Sequence, residues 1–219
     1  MKNFEYRRDR FELFSRYENP LINLSFEMEL EDFRPFCKAS GLPPFHVFLF
    51  CLLTAVQGIE NFLYRILDGE VIKIDEFLAS YTVINEDNNL NYASFTMSQN
   101  LRKFVARSVS AGVAAKKSRS LMNDTASFTP RELKNNIYTT CMPWMRLTAI
   151  EHPIYRMGEA DIPVIAWGRF SDPRDDGRMT VPFSVQAHHG FVDGFHIQQL
   201  AQALQVRVKA VLMNSANHP

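Results

Sequence analysis

Residues 22–30 alternate apolar Ile22, Leu24, Phe26, Met28 and Leu30 with Asn23, Ser25, Glu27 and Glu29. A period of two is the pattern of a strand with one buried face. Residues 31–39 predict a short helix with Pro35 early in it and Gly41 ending it. Pro43 and Pro44 then open an apolar run that reads as a buried helix to about Gly58. Asp68-Gly69 suits a tight turn with positive φ, so residues 63–75 predict a hairpin. A second antiparallel pair is expected at 81–85 and 90–97, around the polar turn 86–89. Residues 101–121 read as a helix that tolerates Gly112. Two apolar strands are expected at 162–170 and 179–187, joined by the turn-rich 171–178. A final helix over 200–213 offers Leu200, Leu204, Val206, Val208 and Val211 for packing.

These elements add up to a mixed α/β fold whose sheet is largely antiparallel. No repeat, low-complexity tract or long polar linker divides the chain, so one domain is expected over residues 1–219.

Charge narrows the partners. Twenty-four basic residues balance 24 acidic ones, which leaves no sequence-independent attraction for a phosphate backbone or an anionic lipid surface. Nucleic acid is not expected as a partner. The longest apolar stretch, residues 47–56, is about half of what a bilayer-spanning helix needs, so no membrane partner is expected either. The first 14 residues mix charges with aromatics and lack the pattern of a signal peptide, which makes the cytoplasm the expected compartment. Cys37, Cys51 and Cys141 are scattered and odd in number, an arrangement that suits core thiols rather than disulfides or a zinc knuckle.

The candidate chemistry lies between the last strand and the last helix, in Gln186-Ala187-His188-His189-Gly190-Phe191-Val192-Asp193-Gly194-Phe195-His196, which holds three of the six histidines. Adjacent strand residues face opposite sides, so His188 and His189 are not expected to enter one pocket. Three readings are open on residue types alone. The histidines could be satisfied edge residues, with Asp193 capping the next helix. His189, Asp193 and His196 could be metal ligands, although there is no second cluster to complete a site. One imidazole could act as a general base, since its ordinary pKa of about 6.5 suits proton abstraction near neutrality.

The string from His188 to His196 resembles the H-H-x-x-x-D-G-F-H signature of the chloramphenicol acetyltransferase family. Its H-x-x-x-D-G part is shared with dihydrolipoyl acyltransferase cores and other CoA-dependent acyltransferases. Further pieces follow the family in order: residues 7–12 resemble its R-x-x-x-F-E, residues 62–70 its E-F-R-x-x-x-x-D-G-E, and Tyr81-Thr82-Val83 its Y-T-V-F. Met142-Pro143-Trp144 resembles its N-P-W, and Trp167-Gly168-Arg169-Phe170 its M-G-K-Y.

This resemblance implies a two-layer α/β sandwich with a large mixed, mostly antiparallel sheet, and an acetyl-CoA-dependent O-acetyltransferase acting on chloramphenicol or a similar small molecule. It implies His189 as general base and Thr140 in place of the family's oxyanion-binding serine. Asp193 would pair with Arg7, and Arg8 is the alternative one residue along. Trp144, Arg169 and Phe170 fall where the family contacts CoA, which is a cosubstrate; no bound cofactor or metal is implied. Phe14, Ile150, His152 and Ala166 fall at acceptor-pocket positions. The last three depart from the family's Phe, Leu and Thr, and Ser40-Gly41-Leu42-Pro43-Pro44 lacks the family's second CoA-binding lysine. Those departures leave room for another hydroxyl acceptor or a non-catalytic ligand-binding relative. The family also implies a homotrimer with active sites between subunits.

Overall fold

The computed structural model describes residues 2–121, 128–154 and 159–216. In chain order it places helices α1 (Lys2–Glu5) and α2 (Arg8–Phe14), strand β1 (Leu21–Glu31), helices α3 (Phe33–Ser40) and α4 (Pro44–Gln57), and a 3₁₀ turn at Glu60–Leu63. Hairpin strands β2 (Tyr64–Leu67) and β3 (Glu70–Lys73) follow, then β4 (Leu78–Ile84), β5 (Leu90–Thr96) and α5 (Leu101–Lys117). The remainder is α6 (Pro130–Lys134), β6 (Asn136–Cys141), β7 (Val164–Trp167), β8 (Arg178–His188) and α7 (Gly194–Ala216).

Six strands form one sheet in the order β1-β8-β7-β6-β4-β5, and β2-β3 stands apart as a hairpin. The pairs β1/β8, β8/β7 and β4/β5 are antiparallel, whereas β7/β6 and β6/β4 are parallel. The sheet is therefore mixed and mostly antiparallel. One face is covered by helices: α4 packs on α7 and α5, while α5 reaches β5 and α7 reaches β1. Apolar residues at every second position supply that face. Met179, Val181, Phe183, Val185 and Ala187 of β8 are all buried, and Phe48 of α4 meets Phe183 edge-on. The fully apolar middle of α4 explains its position, since a helix with no polar side must be surrounded.

Most expected elements stand close to where their patterns place them. Asp68 and Gly69 adopt φ of 52° and 79°, the tight turn their pairing suits. Gly41 caps α3 at φ 66°. Three boundaries move. α5 stops at Lys117, because Ser118 turns extended and its N–H closes back on Ala114. β7 spans only Val164–Trp167, and α7 begins at Gly194 rather than at residue 200.

The parallel strand β6 and the helices α1, α2 and α6 were not expected from periodicity. In β6, polar Thr139 and Thr140 interrupt any alternation, because the strand lies in the interior of the sheet with β4 on one side and β7 on the other. Among the described residues, no single helix is long and apolar enough to cross a membrane. Cys37 and Cys51 are buried free thiols, and burial pushes each up to about 12.

Candidate active site

Strand β8 ends at His188, and the chain then turns through residues 189–193 into α7. The last strand position sends the His188 ring inward. It is 3% exposed, and it lies 5.6 Å from Phe11 and 4.9 Å from Phe191 between ring centroids. Its Nδ1 accepts the Gly190 N–H at 3.1 Å. Burial, helped by neighbouring His189, pushes its pKa down to about 4, so this imidazole is neutral at ordinary pH.

His189 has the opposite surroundings. Its side chain is 30% exposed, and its ring stacks on Phe14 at 3.9 Å with an 18° interplanar angle. Nδ1 lies 3.1 Å from the Val192 carbonyl oxygen and 3.4 Å from Asp193 Oδ1. Both neighbours of Nδ1 are acceptors, so the proton belongs on Nδ1. Nε2 is then left with a bare lone pair, the form a general base needs.

The loop is locked from the N-terminus. Arg7 donates from Nη1 to Asp193 Oδ2 at 2.8 Å and from Nη2 to Asp193 Oδ1 at 3.0 Å. The same guanidinium donates to the carbonyls of His189 at 3.3 Å and Gly190 at 3.2 Å. A planar fork of donors can hold a carboxylate and two carbonyls at once, which an ammonium cannot do with the same geometry. Arg7 holds the Asp193 carboxyl below its usual range against the opposing effect of burial. Arg8, the alternative partner, pairs with Glu5. The Asp193 carboxylate is taken by Arg7, and the Asp193 backbone N–H donates to His196 Nδ1 at 3.0 Å. On sequence His196 had a place in the signature and in the metal-ligand reading; its hydrogen bond at the head of α7 depends on a turn that periodicity does not reveal.

The other candidates lie elsewhere on the chain. Thr140 in β6 is level with Ala166 in β7, and Ala166 is level with Ser184 in β8. The Thr140 and Thr82 hydroxyl oxygens are 2.6 Å apart. Ile150 and His152 belong to a segment laid along the sheet face opposite the helices. Asn23 donates to the Ile150 carbonyl at 2.6 Å, while Gln186 accepts the His152 N–H at 2.9 Å and donates to its carbonyl at 3.2 Å. Burial lowers the His152 pKa. A cleft of about 240 Å³ opens beside this segment, lined by Ser25, Glu27, Leu147, Thr148, Ile150 and Ser184 among others.

Trp144 and Arg169 are brought close by a backbone clasp in which Arg169 N–H donates to Met145 O at 2.7 Å and Met142 N–H to Trp167 O at 3.0 Å. Trp144 is 63% exposed, and Arg169 is exposed with no ion pair among the described residues. An exposed indole beside an unneutralised cation fits an adenine nucleotide carrying phosphate. Phe170 differs from these two: its ring stacks on Phe33 at 5.7 Å and meets Phe48 edge-on at 5.4 Å, which turns it toward the core. No group of three or more His, Cys, Asp or Glu residues able to hold a metal ion occurs among the described residues.

The sheet separates the two halves of this chemistry. Thr140 is two strands from Ser184, and His189 lies five residues beyond Ser184, just past the end of β8. At a rise of about 3.4 Å per residue and a strand spacing of about 4.8 Å, the backbone positions of His189 and Thr140 are about 20 Å apart in one chain.

A family model described as "Chloramphenicol acetyltransferase" matches residues 2–205. Chloramphenicol acetyltransferase 3 of Escherichia coli is 24% identical over 205 residues, covering 91% of this chain and 91% of that protein. A chloramphenicol acetyltransferase of Proteus mirabilis is 19% identical over 201 residues, 91% of this chain and 88% of its own length. Among solved structures, a chloramphenicol acetyltransferase superposes with a TM-score of 0.77 at 22% identity, over 92% of this chain and 94% of the other. The cubic core of a pyruvate dehydrogenase multienzyme complex superposes with a TM-score of 0.67 at 15% identity, over 97% and 90%. At these identities the structural likenesses establish the fold.

Proposed function

This chain belongs to the chloramphenicol acetyltransferase family and is an acyltransferase, and from that membership we propose that it acetylates a hydroxyl of chloramphenicol or a similar small molecule, with acetyl-CoA as donor and His189 as general base. Nε2 of His189 takes the hydroxyl proton as the acceptor oxygen attacks the thioester carbonyl carbon. The resulting tetrahedral oxyanion accepts a hydrogen bond from Thr140, whose own oxygen is supported by the Thr82 hydroxyl. Collapse breaks the carbon–sulfur bond, and the thiolate leaves with the proton that the imidazolium returns. Trp144 and Arg169 would hold the nucleotide end of CoA.

The span of about 20 Å between His189 and Thr140 within one chain supports a site assembled between copies, with the imidazole from one subunit and the hydroxyl from the next. A closed cyclic arrangement such as a homotrimer provides that geometry for every copy. The same reading places the enzyme in the cytoplasm, which supplies acetyl-CoA and keeps thiols such as Cys37 and Cys51 reduced.

One observation carries the assignment of the base: the His189 ring is stacked on Phe14, with Nδ1 committed to acceptors and Nε2 left for chemistry. Replacing His189 by Ala should lower acetyl transfer, measured as free thiol released from acetyl-CoA, by about 10² to 10⁴. Equal turnover by the variant would remove the proposed base.

A further inference from the structure

The sheet face that carries Thr140 holds several further hydroxyls, and apart from Thr82 these neighbours have no part in the steps above. Across the β5/β4 pair, Tyr92 is level with Thr82 and Ser94 with Ser80. Across the parallel β4/β6 pair, Ser80 is level with Tyr138. The Thr82–Thr140 contact, the Ser94–Ser80 hydrogen bond at 3.3 Å and the approach of the Tyr92 and Tyr138 rings to 6.2 Å show that these side chains share one face. It is the face away from α5, because Tyr81, one residue along β4, donates its hydroxyl to Ser108 of that helix at 2.6 Å.

Tyr92 and Tyr138 are half-buried, with their ring planes at 47° to one another. Neither phenol hydroxyl has a hydrogen-bond partner among the described residues. Burial, with Tyr92 nearby, raises the Tyr138 pKa, which keeps that phenol a protonated donor. Two inclined aromatic faces, their hydroxyls unpaired among the described residues, with a threonine pair alongside them combine an apolar platform with several donors and acceptors. An acceptor with an aromatic or aliphatic body would cover the rings but leave those hydroxyls unpaired. A ring carrying hydroxyls around its edge would satisfy both.

We propose that the acceptor is a polyhydroxylated ring, a saccharide or cyclic polyol, that stacks on Tyr92 and Tyr138 beside the Thr82–Thr140 hydroxyl pair. The proposal rests on the reading of Thr140 as part of the acyl-transfer site. It refines that reading by making the two phenols specificity-determining residues. A site built to hydrogen-bond hydroxyls discriminates strongly against analogues that lack them.

The test compares thiol release from acetyl-CoA with methyl glucoside, methyl galactoside and myo-inositol against release with chloramphenicol, for the full-length protein and its Tyr92→Phe and Tyr138→Phe variants. At least one polyol should exceed chloramphenicol in kcat/KM by about tenfold, and each Phe variant should raise the KM for that polyol by about tenfold or more while leaving the chloramphenicol KM unchanged or lower. Preference for chloramphenicol, with both Phe variants neutral, overturns the proposal and leaves acetyl transfer by His189 standing. Saturation transfer from the protein to the polyol ring protons measures binding without turnover, and its absence for all three also overturns it. Failure of the underlying reading is distinguishable, because it would appear as acetyl transfer that persists in His189→Ala.

Discussion

His188 and His189 are adjacent in sequence, yet the end of a strand and the turn after it put them in opposite environments, and their chemistry follows from that. His188 is neutral because its ring is enclosed by Phe11 and Phe191 and accepts the Gly190 N–H. Its folded pKa of about 4 lies below the ordinary value, so between those two pH values the unfolded chain binds a proton that the folded chain refuses. Stability is therefore full above the ordinary histidine pKa of about 6.5 and falls as pH drops toward 4, by about 3 kcal/mol for this group. Urea unfolding at several pH values should show a His188→Asn variant losing less stability between pH 7 and 4.5 than the parent. Parallel losses would refute the burial argument. His46, which burial also pushes down to about 4, contributes a similar slope to both proteins.

At this scale the sequence was informative where a motif named a position and silent where a contact depended on the fold. The signature located His189 and Asp193, the N-terminal motif located Arg7, and the structure joins them. Phe14 was expected in the acceptor pocket, and its stacking on the imidazole is a contact the motif did not show. Tyr92 and Tyr138 were not singled out, because nothing in the local sequence shows that residues 46 apart (138 − 92) share one face of a sheet.

Among the elements, the short α1 and α2 were absent from the pattern of apolar positions because their purchase on the molecule comes from only a few side chains. Phe4 is buried against Phe11, Tyr64 and Phe191, and Arg7 clasps the loop before α7. Helices this short gain little from their own hydrogen bonds, so their docking depends on these tertiary contacts. The Arg7–Asp193 pair is partly exposed, with side chains 13% and 38% accessible, and its worth lies between that of a surface and a buried pair. Arg7→Ala should cost about 1–3 kcal/mol, because the His189 and Gly190 carbonyls lose donors along with the carboxylate.

Asp193→Asn should cost less, since an amide oxygen still accepts one guanidinium N–H. In a double-mutant cycle the two losses should be less than additive, and kcat should fall with Arg7→Ala more than KM rises, because the loop that orients the base is loosened. Additive losses with unchanged kcat would show that the pair merely decorates the surface. Longer elements were legible for the converse reason. β1, α4 and β8 have enough regularly spaced apolar positions to declare a face, whereas β6 does not.

For the whole molecule, the decisive quantity is the separation of about 20 Å between the backbone positions of His189 and Thr140 within one chain. Reacting groups must come within about 3.5 Å of a shared substrate, so if both residues act as proposed, the two come from different chains, a neighbour's sheet being brought against this loop. That requirement is testable without any structure of the assembly. On the proposed mechanism His189→Ala lacks the base, and Thr140→Val lacks the oxyanion donor while keeping the side-chain shape, at an expected loss of about 10² to 10³ in kcat. Each variant alone should be nearly inactive. If the subunits are dissociated, mixed in equal amounts and reassembled, a site is complete when its histidine comes from a Thr140→Val chain and its threonine from a His189→Ala chain. Random assembly gives that combination at about one quarter of the sites, so the mixture should regain about 25% of parental activity. A site contained within one chain would regain none, because every chain carries one of the two lesions.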